Sequence, residues 1–140
     1  AQYLSEKVWS RAGMERDLFW MVDWNGTEMG GCCISATLRD YARFGMFVMN
    51  GAGGILPGDY ASEMTKPQQG VGYPGVSYGY QWWSYPQGRY GLQGLRGQNI
   101  IIDPANRTVI AVNSAMGPST DPTRNERRMA FLARLIDLAK

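Results

Sequence analysis

The stretch Tyr90-Gly-Leu-Gln-Gly-Leu-Arg-Gly-Gln-Asn-Ile-Ile-Ile-Asp-Pro104, answered after a short turn by Thr108-Val-Ile-Ala-Val-Asn-Ser-Ala115, decides how this chain is read. Gly91, Gly94 and Gly97 lead into the β-branched run Ile100 to Ile102, so a strand is expected where bare backbone lets another group come close. Asp103-Pro-Ala-Asn106 has turn chemistry, and Val109, Ile110 and Val112 return as a second strand. The pair predicts an antiparallel hairpin whose glycine-lined end can receive a ligand.

Just upstream, Tyr78-Gly-Tyr-Gln-Trp-Trp-Ser-Tyr85 is crowded with aromatics. As one strand it would point Tyr78, Tyr80 and Trp82 to one face and Gln81 and Trp83 to the other, with one face in the core. Downstream, Asp121-Pro122 opens a helix with Asp as cap and Pro at its first position. Met129, Leu132, Ala133, Leu135, Ile136 and Ala139 give that helix a broad apolar face to lay on the sheet.

The clearest helix is Ser35-Ala-Thr-Leu-Arg-Asp-Tyr-Ala-Arg-Phe-Gly-Met-Phe-Val-Met-Asn-Gly51. Ser35 or Thr37 can cap it, Asp40 stands where a capping box needs an acid, and Gly51 closes the far end. Leu38, Tyr41, Phe44 or Gly45, and Val48 make its buried stripe, while Arg39 and Arg43 read as a solvated face. A shorter helix is expected from Ile55 to about Thr65, and Pro67 to Gly75 is a glycine- and proline-rich loop. Near the start, Tyr3, Leu4, Val8 and Trp9 fall at helical spacing, with Gly13 placed to end the helix and no cap at its beginning. An uncapped first helix suggests a piece of a longer chain. Met14 to Gly31 reads as loop with short strand or helix pieces.

Composition narrows the function classes. At 140 residues the chain has the size of one domain, and a net charge of +2 with 19% charged residues gives no basic stripe for nucleic acid. No apolar run reaches the roughly 20 residues that span a bilayer. The start Ala-Gln-Tyr-Leu-Ser lacks a basic region followed by an apolar core, which leaves the compartment unassigned. Cys32 and Cys33 are neighbours, and a ring between adjacent residues is strained, so they read as two small buried residues. The chain has no histidine, which removes Ser-His-Asp and Cys-His mechanisms and the commonest metal ligand within it. No cofactor or metal motif is present.

Taken in order, Trp9 with Gly13-Met-Glu15, Ile34-Ser-Ala-Thr-Leu-Arg-Asp-Tyr-Ala-Arg-Phe-Gly45, Tyr80-Gln-Trp-Trp83, and Gly94-Leu-Arg-Gly-Gln98 with Asp103-Pro104 resemble the penicillin-recognising serine hydrolases. The nearest branch is that of class C β-lactamases, which includes family VIII esterases and 6-aminohexanoate-dimer hydrolases, and the resemblance runs nearly end to end. It implies an α+β fold, the C-terminal part of a β-lactamase/transpeptidase-like domain: an antiparallel sheet of about three strands between residues 78 and 115, a C-terminal helix packed on it, and a separate helical lobe. Residues 1–76 would be the mainly helical and loop part, and 77–140 the sheet with its helix.

The family's chemistry uses a Ser-x-x-Lys nucleophile, a Tyr-x-Asn-like second motif and a Lys-Thr-Gly-like third motif, with lysine or tyrosine taking the proton. No serine here has a lysine three residues on, and no Tyr-x-Asn occurs. The resemblance therefore implies the C-terminal portion of a hydrolase acting on an ester, amide or lactam, inert alone, with the N-terminal half of the same domain as partner and self-association when that half is missing. The third motif falls on Leu95-Arg96-Gly97, and the oxyanion hole would take the backbone N–H of Gln98, with Gly97 leaving its approach clear. Leu95 and Arg96 stand where the family has lysine and threonine, which argues for esters or amides over β-lactams. Arg96 could restore a carboxylate contact through its planar fork. On an alternating strand only one of Leu95 and Arg96 could face the cleft. Trp83 matches a tryptophan that helps close the substrate pocket. Two readings compete: a self-standing carbohydrate module with Tyr80, Trp82 and Trp83 as stacking platform, and a structural domain without a small-molecule site.

Overall fold

The structure, a computed structural model, describes residues 1–117 and 121–138. It opens with a helical turn, α1 (Gln2–Leu4), which continues as a π-turn over Ser5–Trp9; Gly13 follows at φ +66°. A two-stranded ribbon, β1 (Phe19–Trp20) with β2 (Ile34–Ser35), precedes α2 (Leu38–Met49) and α3 (Tyr60–Met64). Then comes an antiparallel meander of six strands: β3 (Gln69–Gly70), β4 (Ser77–Gly79), β5 (Trp82–Ser84), β6 (Tyr90–Gln93), β7 (Asn99–Asp103) and β8 (Thr108–Val112). Helix α4 (Pro122–Leu138) closes the chain.

The expected hairpin is β7–β8, paired from Asn99 with Val112 to Asp103 with Thr108. Its turn holds because Asp103 accepts from the backbone N–H and the side-chain amide of Asn106. Arg89 donates to the same carboxylate at 2.9 Å, clasping β6 to β7. Burial pushes the Asp103 carboxyl up, but the hydrogen bonds from Asn106 and Arg89 outweigh it and hold the group below the usual aspartate range.

Period-two alternation sorts β7 between two cores. Ile100 and Ile102 pack with Val48 of α2, Met64, Trp82 and Tyr90, whereas Ile101 packs with Leu132 and Ile136 of α4. Burying an isoleucine as completely as Ile102 contributes about 1.5–3 kcal/mol. So α4 covers one face as expected, and α2 lies directly on the other. The helices between residues 35 and 65 therefore do not stand apart as a lobe, because the second face of β7 needs cover.

Other expectations change. The sheet has six strands rather than about three. The single strand expected over residues 78 to 85 is a hairpin, because Tyr80 and Gln81 turn at φ +51° and +68°, a two-residue loop of the kind that matches strand twist. Trp82 therefore faces α2 and Trp83 faces α4, with Trp83 paired to Tyr78 at 5.0 Å. The second helix starts only at Tyr60, and the loop after it contains β3. Leu38 and Ala133 are exposed, while Ala139 lies outside the described residues. Cys32 and Cys33 form a disulfide with each other at a largely exposed turn, where Cys33 sits at φ +78°.

Thr37 caps α2, its hydroxyl accepting from the N–H of Asp40 and donating to the Asp40 carboxylate. Asp40 is fully buried and also accepts from the N–H groups of Glu15 and Arg16, with Arg43 at 3.3 Å. One carboxylate thus ties the segment after the first helix to α2. The Glu15 N–H is the largest influence holding the Asp40 carboxyl below its ordinary range; burial opposes it, and Thr37, Arg16 and Arg43 assist.

A proton on Asp40 is therefore taken up more readily by the unfolded chain. Its stabilising effect should be complete above the ordinary aspartate range and disappear as pH falls through the lower folded value. Urea midpoints measured from pH 7 to pH 3 should fall on the acid side in the wild type, and Asp40→Asn should start lower and flatten that limb. Gly45→Ala should destabilise by about 1–3 kcal/mol in denaturant melts. Its Cβ would stand 2.6 Å from Val109 Cγ1 and 3.0 Å from Ile100 Cγ2.

Candidate active site

Strands β6 and β7 join through Leu95-Arg96-Gly97, and the geometry of this joint follows from its glycines. Gly97 donates to the Gly94 carbonyl at 3.1 Å, and Gly94 donates to the Gln98 carbonyl at 2.8 Å. Two residues, Gly97 and Gln98, thus oppose the single Gly94, a bulge whose first residue sits at φ +87° as only glycine does readily. The buried Asn99 holds the Gly97 carbonyl through its amide, and Met116 donates to the Arg96 carbonyl. Among the described residues no acceptor takes the Gln98 N–H, while the Gln98 side chain bends back to accept from the Arg96 N–H at 2.9 Å.

Leu95 and Arg96 are turn residues, so the strand alternation expected of them does not apply. Both are exposed, and they part: Leu95 borders a cavity, and the Arg96 guanidinium turns to the Gly117 carbonyl at 3.4 Å. Only the first two residue pairs of β6 are matched by β5, so the Leu92–Gln93 end of β6 is an open edge on that side. Beside it lies a cavity of about 580 Å³ whose walls include Val76, Trp83, Gln93, Leu95, Arg128 and Met129. The structure thus brings Trp83 and Leu95 to one cavity, together with Gly94. Arg96, Gly97 and Gln98, in the same turn, do not line the cavity.

Behind the cavity wall a polar chain runs under α4. Arg128 donates to Gln93 at 2.9 Å, and Gln93 donates to the Tyr85 hydroxyl at 3.0 Å. Burial pushes the Tyr85 hydroxyl above its ordinary value, so it stays protonated. Sequence reading passed over Asn99, Gln93 and Arg128. The signal for Arg128 was its spacing: with Leu132 and Ile136 it recurs every four residues, which puts a cation on the buried stripe of α4. Tyr80, Trp82 and Trp83 do not make one stacking surface, since Trp82 is buried against Tyr90 at 5.5 Å on the opposite face from Trp83.

Comparison with known proteins assigns the fold. The profile of the Beta-lactamase family matches residues 1–134. This chain belongs to the Beta-lactamase family. A curated relative, the 6-aminohexanoate-dimer hydrolase of Paenarthrobacter ureafaciens, is 30% identical over 76% of this chain and 31% of its own length. A solved structure from Bacillus anthracis, provisionally named as a 6-aminohexanoate-dimer hydrolase, superposes with a TM-score of 0.79 at 31% identity, covering 98% of this chain and 37% of that one. The chain thus spans about a third of the length of these relatives. The β-lactamase-family chain shares with the Bacillus anthracis structure its α+β architecture, a sheet with the C-terminal helix against it. Among the described residues no helix is long and apolar enough to cross a membrane.

The bulge yields a sharp contrast between neighbours. Gly97→Ala should cost about 1–3 kcal/mol, since a side chain is strained at this φ and its Cβ would meet Met116 Sδ at 2.5 Å. Leu95→Ala, two residues away and exposed, should leave the denaturation midpoint nearly unchanged.

Proposed function

We propose that this chain forms one wall of a serine hydrolase site that cleaves esters or linear amides through an acyl-enzyme, with the Ser-x-x-Lys nucleophile contributed by polypeptide outside these 140 residues. The observation that carries the reading is the Gln98 N–H. It is unclaimed among the described residues, and it sits at a glycine bulge in a chain of the Beta-lactamase family. Gln98 would donate this N–H to the acyl oxygen as negative charge develops on it, and Gly97, at a φ that glycine adopts readily, would set the turn that presents it. Trp83 and Leu95 would contact the acyl or leaving group from the cavity side. A fixed donor at that point accelerates attack because it binds the oxyanion more strongly than the carbonyl it comes from.

The substrate preference follows from two replacements. Leu95 and Arg96 occupy the positions of the family's lysine and threonine, which removes a cation that would hold a β-lactam carboxylate. Two relatives named for hydrolysis of a linear amide, the 6-aminohexanoate dimer, favour the same class. The partner implied is the N-terminal half of the same hydrolase domain, to which this chain would add a part at 1–76 and a part at 77–140. The exposed apolar set Phe19 of β1 and Met21, Val22 and Trp24 just after it offers a surface for that partner, or for self-association in its absence.

The longer polypeptide that joins this chain to a Ser-x-x-Lys segment should hydrolyse p-nitrophenyl esters and linear amides faster than cephalosporins, while the 140 residues alone should hydrolyse none. Turnover by the 140 residues alone, or none by the longer polypeptide, would overturn the proposal. An amide-to-ester exchange that removes only the residue 98 N–H should lower kcat by about 10²–10³ with little change in KM. An unchanged kcat would remove Gln98 from the oxyanion hole.

A further inference from the structure

We propose that the cavity between α4 and the open end of β6 is a subsite for an apolar molecule ending in a carboxylate, with Arg128 as the anion anchor. This deepens the hydrolase reading and rests on it for one point only, that the occupant is the carboxylate-bearing part of a substrate or product.

The argument begins with volume. At about 580 Å³ the cavity lies within the range of roughly 300–1,000 Å³ that small-molecule sites occupy. Val76, Trp83, Leu95 and Met129 give it apolar walls suited to a hydrocarbon chain or ring.

Charge decides what the polar end must be. Arg128 brings a positive charge to the cavity wall, and no ion pair among the described residues involves it. Its Nη2 donates to the neutral Gln93 side chain, and its Nε is buried without an acceptor. A partly buried cation whose Nε has no acceptor and whose Nη2 meets only a neutral amide is poorly balanced, and a carboxylate is the group that matches its planar fork. The cation is also held in place, since Gln93 is fixed in turn by Tyr85. Preorganisation of this kind lowers the cost of binding. Glu126, the acid on the cavity wall, is exposed and therefore screened by solvent, whereas Arg128 is partly buried, so the guanidinium sets the sign of the site. Gln93 belongs to β6, one residue before Gly94, so an anion held there lies next to the wall formed by Gly94 and Leu95.

The test is binding of 4-phenylbutyrate and its neutral amide, 4-phenylbutyramide, to the polypeptide carrying this chain, by titration calorimetry. The carboxylate should bind at least about tenfold more tightly, the discrimination that a charge-assisted hydrogen bond supports. Arg128→Gln should abolish that preference, and Arg128→Lys, which keeps the charge and loses the fork, should retain part of it. Equal affinity for acid and amide in the wild type would overturn the proposal, as would a preference that survives in Arg128→Gln. If Arg128→Gln does not fold, the wild-type comparison and Arg128→Lys decide. Binding needs no nucleophile, so the two readings fail separately. Carboxylate preference without hydrolysis overturns the function proposed above, whereas hydrolysis without carboxylate preference overturns the subsite.

Discussion

A strand buried on both faces constrains everything that touches it. Every residue of β7 is withdrawn from solvent, so its backbone groups must be paired on both edges and its side chains must meet an apolar layer above and below. Strands β6 and β8 supply the first condition, α2 and α4 the second. The glycines of the preceding turn then become a geometric necessity, because the chain must reverse tightly into this packed strand. Gly91 shows the same pressure, since a Cβ there would run into the Ile100 carbonyl across the ladder. The site is thus placed by the core: the bulge that frees one N–H exists because β6 and β7 have to pair around it.

Much of this was legible in the residues. The β-branched run with its Asp-Pro-Ala-Asn turn announced β7 and β8, Thr37 and Asp40 announced the start of α2, and Asp121-Pro122 announced α4. These signals are local, and local chemistry satisfies them in the structure. What could not be read was set by distant partners. Asp40 looked like one half of a capping box, yet its second role is to receive two N–H groups from residues 15 and 16. The aromatic stretch from Tyr78 does not announce its hairpin because the two central turn positions hold Tyr80 and Gln81 rather than glycine or asparagine. Adjacency alone argues against a disulfide between Cys32 and Cys33, yet the two are joined at a turn where Cys33 is left-handed.

The family resemblance carried more about function than any pattern of apolar residues could. Order and spacing of short segments pointed to a hydrolase scaffold, and superposition on a relative from Bacillus anthracis agrees with it. Side-chain directions were beyond its reach. Leu95 and Arg96 diverge because they occupy a loop, and Arg128 enters the polar chain beneath α4 only through the way that helix is rotated on the sheet.

The hairpin at Tyr80 and Gln81 has a consequence for how the sheet breathes. Two residues with β-carbons held in left-handed conformations store backbone strain, and the strands on either side are only three residues long. Strands β3 and β4 form the thin margin of the meander, whereas β7 has an extensive ladder on each side. Amide hydrogen exchange should proceed inward from that margin, so the aromatic edge that borders the cavity can part transiently while the glycine bulge, anchored to the strand at the heart of the domain, keeps its shape.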